Sequence, residues 1–457
     1  MTNDHAPNDT QFSKVAAFTL ASDLSVPDAV LDWAATLFVD TLAVAAGARD
    51  LDSGRIARDF AADFMAAGTA AHAARLLFDG RSASLPGAAF AGATQIDNLD
   101  AHDGLNVTKG HIGCAVVPAI LAFAEQSPGL GARDALVAMV VAYEVAARAA
   151  QGLHVSVSDY HTSGAWNGLG VVAAGARLRG LDPAQLRHAF GIAEYHGPRS
   201  QMMREIDNPT MLHDGSGPGA LIGSKAVLMA ERGFTGAPAI TVEAATLAPF
   251  WEDLGAVWTL PDNYIKPYPI CRWAHAAIDA VRALKRAQGL GPEDIAAVKV
   301  RTFAEAARLF PGVPGTTSQA QYSLAFAVAI MVVHGRIGAE HISGDGLSDA
   351  AVARVLPRIS IVEDARHSAR FPVGRWSDVT LTLADGRVLE SGDVHARGGP
   401  EAPMTEAEIR DKVLHLAGGL GEERAQDLWE LRDAMRDPAV VFADVAHALY
   451  VGNGTLP

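Results

Sequence analysis

The sequence predicts a mostly α-helical fold. A large all-helical domain, formed by residues 12–263 and 401–457, is interrupted by a smaller α+β lid domain at 264–400. Three observations carry this prediction. Alanine, the strongest helix former, supplies about a fifth of the chain. Apolar residues recur at helical spacing through the first 260 or so positions and again after Thr405. Between these stretches the pattern changes to alternation, as in AAVKVRT at 296–302.

The elements follow in order. The polar start, through Thr10, carries no basic or strongly apolar segment, and the first dozen residues are expected to fray. Ser25-Val-Pro27-Asp28 resembles a capping box and opens a helix over 26–46. Further helices are expected at 118–126 and 132–151, punctuated by Gly129 and Gly131, and at 164–179, where small residues imply close packing. Asp182-Pro183 reads as an N-cap with proline in the first turn. A helix over 215–232 ends at Gly233, a C′ glycine. In the middle segment, helices are expected at 274–288, 318–333 and 348–355. Strands are expected at 296–302, 358–362, 378–383 and 387–391, the last two joined by a turn at Ala384-Asp385-Gly386. Helices return at 406–416, 422–435 and 439–449. The cleft between the two domains is the expected ligand site.

Composition narrows the function. The formal charge of −15 argues against nucleic acid and anionic membranes as partners. An anion could still bind in a locally basic pocket. The two cysteines, Cys114 and Cys271, provide no disulfide framework and fit a reducing, cytoplasmic compartment. The most apolar runs, at 324–333 and 135–143, are shorter than the about 20 residues that span a bilayer.

Several segments concentrate chemistry. Only seven lysines occur, and two of them, Lys109 in TKGH and Lys266 in YIKPYP, lie in loops bounded by glycine or proline. NLDAHDGLNVTKGHIG, at 98–113, packs Asp100, His102, Asp103, Lys109 and His111 between two helices. It reads as an acid/base and anion-binding loop leading into a helix N-terminus, as a metal site, or as a capping loop. Asp159-Tyr-His161-Thr-Ser-Gly164 precedes a small-residue helix, so His161 faces a ligand or caps the helix. Met211-Leu-His213-Asp-Gly-Ser-Gly-Pro-Gly219 feeds another helix but lacks the lysine of a phosphate loop. Lys266-Pro-Tyr-Pro-Ile-Cys271-Arg272-Trp-Ala-His275 is stiffened by two prolines and gathers Lys266, Arg272 and His275 near one helix start. Tyr322 enters a buried helix. No GxGxxG follows a strand and no GxSxG occurs, which argues against a dinucleotide fold and a serine-hydrolase elbow.

Taken in order, these segments resemble the MmgE/PrpD family, which includes 2-methylcitrate dehydratases, cis-aconitate decarboxylases and iminodisuccinate epimerases. The resemblance rests on NLDAHDG…TKGHIGCAVVPAILAFAE, YHTSGAWNGLGVVAAGARLRGLD, DGSGPGALIGSKAVLMAERGFTGAPAI, KPYPICRWAHAAIDA and TTSQAQYSLAFAVA, and spans about residues 12–449. It implies a cofactor-independent homodimer with no metal, a helical domain with an α+β lid, and proton transfer beside a carboxylate. Residue by residue, it carries catalytic roles to Asp100, His111, His161, Lys266 and Tyr322. Lys109 and Arg272 are expected to bind substrate carboxylates, with His102, Asp103, His213 and His275 beside them. The chain departs from the family pattern in having His102 where an Asp is common, Gly104 where Thr is common, His213 at a usual Lys, and Cys271 at a His of the decarboxylase branch. The expected function is abstraction of a proton next to a carboxylate of a small anionic di- or tricarboxylate, foremost by a hydro-lyase. An epimerase or isomerase is the alternative, followed by a decarboxylase. Two rivals from other classes are a non-catalytic anion-binding protein and a metal-dependent hydrolase using His102, Asp103 and His111.

Overall fold

The computed structural model describes residues 8–450. The body is a stack of helices around four that are buried on almost every side: Asp28–Gly47, Gly113–Ala124, Ala132–Ser156 and Gly164–Arg179. Small residues make this possible. A Cβ on Gly168 would lie 2.8 Å from the carbonyl oxygen of Gly219 in the helix Ser216–Glu231. A Cβ on Gly170 would lie 2.7 Å from that of Ala142. Alanine and glycine therefore let backbones approach where larger side chains would hold them apart.

Two of the helices, Asp28–Gly47 and Ala132–Ser156, are long and apolar enough to cross a bilayer, contrary to the expectation that no segment reaches that length. Their most apolar windows are 83% and 94% buried inside the fold, as expected of core helices. Other boundaries also move. The first helix, Asp9–Leu20, includes residues expected to fray. It is capped by Asn8, whose side chain accepts the Gln11 N–H, and residues 1–7 lie outside the described residues. The second begins at Asp28 after Pro27, with no side-chain cap, so the expected Ser25 box is absent. The helix expected at 118–126 starts five residues earlier, at Gly113, and tolerates Pro118 inside it. The N-cap expected at Asp182 is present and forms a full box, with Asp182 and Gln185 side chains each accepting the other's backbone N–H at 2.9 and 3.0 Å. Helices Asp52–Phe64 and Leu85–Asp97 fill the helical pattern expected before residue 263, whereas a short hairpin, Ala73–Arg75 with Ser82–Ser84, departs from it. The hairpin means the body is not purely helical.

The middle segment builds one five-stranded sheet. Ile295–Thr302 pairs in parallel with Ile359–Glu363 and antiparallel with Trp376–Leu383. The latter also carries Val388–Glu390 and Val394–His395. Helices His275–Gln288 and Leu324–His334 cover one face. The single helix expected over 318–333 is two, Thr317–Gln321 and Leu324–His334. Ser323 is extended and caps the second helix by accepting the Phe326 N–H, which leaves Tyr322 at the break. The chain then returns to the body. Glu406–Ala417 and Glu422–Ala434 pack on Asp28–Gly47, and Phe442–Tyr450 packs against Ala132–Ser156.

The close packing of Pro183–His196 on the loop that follows Ser216–Glu231 is testable. A Cβ on Gly191 would sit 1.7 Å from the Ala237 carbonyl oxygen. Gly191→Ala is expected to cost at least about 1–3 kcal/mol in urea unfolding. Gly68→Ala, with open space around it, should stay within about 0.5 kcal/mol of the parent.

Candidate active site

The lid meets the body at a small cavity of about 30 Å³, enough for one or a few waters. Its walls include Asp100, Lys109, His111, Tyr160 and Asp214 from the body. Tyr264, Lys266, Cys271, Arg272, Tyr322 and Arg375 come from the lid. Two larger grooves, of about 710 and 670 Å³, flank the outer side of residues 209–215, but the cations converge on the small cavity instead.

The aspartate loop is held from two directions by buried lysines. Lys266 of the lid forms an ion pair with Asp100 and donates to its carbonyl oxygen at 3.0 Å. Burial opposes the Lys266 charge, but Asp100 and Tyr264 outweigh it and hold its pKa above the usual lysine range. Lys412, on the C-terminal helix Glu406–Ala417, pairs with buried Asp40 at 2.6 Å and donates to the Ala101 carbonyl at 2.8 Å. Asp100, Lys109 and His213 all have positive φ, at 57°, 54° and 46°. Such backbone is costly for residues other than glycine, and here the surrounding bonds impose it.

His111 stands two residues before the helix Gly113–Ala124. Its backbone N–H donates to Ser163 Oγ at 3.0 Å, and its Nδ1–H donates to the Asp103 carbonyl at 2.6 Å. That fixes the tautomer and leaves Nε2 as a lone pair, 3.7 Å from Asp214 Oδ2. Burial, then His102 and Lys266, push the His111 pKa well below the usual histidine value, so the ring is neutral. Asp214 is held by Ser163, whose hydroxyl donates to Oδ1 at 2.6 Å. Burial and Asp97 raise its pKa to about 6. Cys271 is no nucleophile, because burial and Asp100 push its thiol up to about 12. Arg272 stacks over Tyr264 at 4.1 Å and donates to the Ala396 carbonyl at 3.0 Å. Arg375 donates to the Asn106 carbonyl at 3.3 Å. The Nε atoms of both arginines are buried without a partner among the described residues.

Of the residues expected from sequence, Asp100, Lys109, His111, Lys266, Arg272 and Tyr322 come together on the cavity wall. His102, Asp103 and His213 stand behind it. The His102 ring meets His111 edge-on at 4.4 Å, Asp103 supplies the carbonyl for His111, and His213 tilts against Tyr322 at 5.5 Å. Burial, helped by nearby positive groups, takes His102 to about 4 and His213 to about 3, so both are neutral. His161 does not line the cavity. It is buried in a bridge to Gln201, with Nδ1 unpartnered. His275 is also elsewhere, with Nε2 on the Ile270 carbonyl at 2.8 Å and its ring against Tyr268. It serves the lid's core because it starts the helix His275–Gln288 on the inner side. The sequence reading passed over Tyr160, Asp214, Tyr264 and Arg375. The first three sit inside segments already singled out. Arg375 carries no local signal and arrives through the turn before Trp376–Leu383.

Two sets of three metal-ligating side chains cluster among the described residues, Asp97/His102/Cys114 and Asp364/His367/Asp378. Neither lines the cavity. In the first, Cys114 bonds Ser216 Oγ at 3.1 Å and Asp97 accepts the Ser216 N–H at 3.0 Å. The second is already crowded by Arg301, Arg366 and Arg370, which would repel a cation.

Two predictions follow from these buried charges. Lys412→Met, which strands Asp40, should cost about 3–5 kcal/mol in urea unfolding, and adding Asp40→Asn should recover part of it. If the Asp214 carboxylate stabilises a protonated His111 during turnover, kcat should fall as pH drops through about 6, where Asp214 takes up its proton. Asp214→Asn should flatten that acid limb, as a pH–rate profile would reveal.

Comparison with known proteins places this geometry. The model of the MmgE/PrpD N-terminal domain matches residues 12–250, and that of the MmgE/PrpD C-terminal domain matches 268–437. A 2-methylcitrate dehydratase, mitochondrial, from Yarrowia lipolytica is 29% identical over 113 residues, 23% of this chain and 22% of that protein. The alignment thus spans less than a quarter of that relative. The two domain models together match most of the chain, and the chain belongs to the MmgE/PrpD family.

Proposed function

We propose that the chain is an acid/base enzyme that removes a proton from the carbon next to a carboxylate, most simply as a dehydratase of a small di- or tricarboxylate. One observation carries this reading. In a protein of net charge −15, four cations, Lys109, Lys266, Arg272 and Arg375, line one cavity with only two carboxylates, Asp100 and Asp214. That surplus of positive charge suits a ligand with two or more carboxylates. The buried, unpartnered Nε atoms of Arg272 and Arg375 are donors for it.

The chemistry follows from the same charges. A C–H beside an ionised carboxylate is a very weak acid, because the carboxylate repels developing carbanion charge. Cations on the carboxylate remove that penalty, each well-placed donor contributing about 3–4 kcal/mol to transition-state stabilisation. The base is His111 Nε2, neutral and aimed away from the Asp103 carbonyl that fixes the ring. Asp214 stands ready to balance the imidazolium. A substrate pocket usually needs about 300–1,000 Å³, so the lid loops carrying Lys266–Arg272 and Arg375 must part to admit substrate. Closing them excludes water and strengthens every charge interaction.

The test is proton NMR in D₂O with a panel of citrate-like, aconitate-like, hydroxysuccinate and iminodisuccinate compounds. Exchange or conversion at a carbon next to a carboxylate is expected, and the product separates elimination from epimerisation and decarboxylation. His111→Ala and Lys266→Ala should each lower turnover at least about a hundredfold. A folded protein that binds these anions but exchanges no proton would overturn the reading in favour of a binding protein.

A further inference from the structure

Three tyrosines line the cavity: Tyr160, Tyr264 and Tyr322. Their surroundings differ. The Tyr160 hydroxyl is spent on the Lys109 carbonyl. Burial, with Asp100 and then Asp214 adding to it, drives the Tyr322 pKa well above the usual phenol value. Tyr264 is buried too, and burial holds its pKa above the usual phenol value with a small push from Asp100, although Lys266, Arg272 and Arg375 act to lower it. The Arg272 guanidinium lies over its ring at 4.1 Å, and its hydroxyl makes no hydrogen bond among the described residues.

Backbone geometry explains how this phenol comes beside the His111 ring, on its Nδ1 side. Residues Asn263–Tyr264 pair antiparallel with Gly104–Leu105, and Tyr264 lies opposite Gly104. A Cβ on residue 104 would sit 2.4 Å from Tyr264 Oη and 2.8 Å from His111 Nδ1. One methyl group would touch both. Glycine at 104 is what lets the phenol pass beside the His111 ring. Asn263 fixes the strand, since its carbonyl accepts the Trp33 indole N–H at 3.1 Å and its side chain donates to the Leu260 carbonyl at 2.9 Å.

Resting on the acid/base reading above, we propose that Tyr264, rather than Tyr322, is the catalytic acid that works with His111. In an elimination, His111 Nε2 takes the proton from the carbon beside the carboxylate and the C–H electron pair forms the C=C bond. The C–O bond breaks, and its electron pair takes the Tyr264 proton, so the hydroxyl leaves as water. The products on the protein are an imidazolium beside Asp214 and a phenolate beside three cations. Loss of the imidazolium proton to water and uptake of one by the phenolate restore both groups.

Two measurements test this. With a turned-over substrate, Tyr264→Phe should form product at least about a hundredfold more slowly while KM changes little and the α-C–H still exchanges in D₂O. Tyr322→Phe should be the milder change in kcat. The second measurement needs no substrate. In protein labelled with 3,5-difluorotyrosine, the ¹⁹F resonance missing from Tyr264→Phe should titrate at lower pH than the one missing from Tyr322→Phe. Reversed order in either experiment overturns the assignment, as does joint loss of binding, exchange and conversion in a folded Tyr264→Phe. A correct titration order in a protein that turns over none of the panel would leave Tyr264 the readier acid and count against the proposed function alone.

Discussion

The ion pair between Asp100 and Lys266 is the constraint on which the site depends. It joins the body to the lid, and both side chains are almost fully buried. Removing one partner from such a pair leaves an uncompensated charge that costs about 3–5 kcal/mol. The pair forms only if the aspartate loop adopts positive φ at Asp100 and the proline-bounded lid loop reaches in. Gln321 ties the same seam, donating to the Asn98 carbonyl at 2.8 Å and accepting the Cys271 N–H at 2.9 Å on its own carbonyl. Lys412 and Asp40 fix the loop from the opposite side, so the C-terminal helices are part of the site's foundation.

Around that pair, burial sorts the ionisable groups by sign. Histidines lose their charge when desolvated, and His102, His111 and His213 are further disfavoured as cations by Lys266. Lys266 keeps its charge because Asp100 is against it. The result is fixed positive charge and neutral imidazole within one small volume, although the protein as a whole is acidic. His213 contributes no positive charge where the family pattern has a lysine. Positive charge on the cavity wall is carried by lysines and arginines alone.

Much of the fold was legible because its signals are local. Helical periodicity, the Asp182 N-cap with its following proline and the alternating 296–302 segment each report on a few neighbouring residues. The errors share a cause. Pro118 was read as a helix start, yet it lies inside Gly113–Ala124, where packing outweighs propensity. The break at Tyr322 has no proline or glycine to mark it: polar Thr317–Gln321 and apolar Leu324–His334 are both helical, and only the Ser323 cap separates them. The uninterrupted apolar runs are shorter than a bilayer span, yet two whole helices are long and apolar enough to cross one, and their burial inside the fold is that of core helices.

For the site, the sequence by itself determined the chemistry on offer: scarce lysines in stiff loops, an aspartate–histidine segment before a helix, and an ordered set of segments that identifies the family. Tertiary structure alone decided which of those groups meet. His161 and His275 lie beside site loops in sequence but are turned away, the first into a bridge with Gln201 and the second onto the Ile270 carbonyl. Arg375 has no sequence signal and arrives from the lid sheet. Tyr264 reaches His111 only because the residue opposite it is glycine. Side-chain direction depends on register and packing across distant segments, and residue order along one chain does not encode that pairing locally.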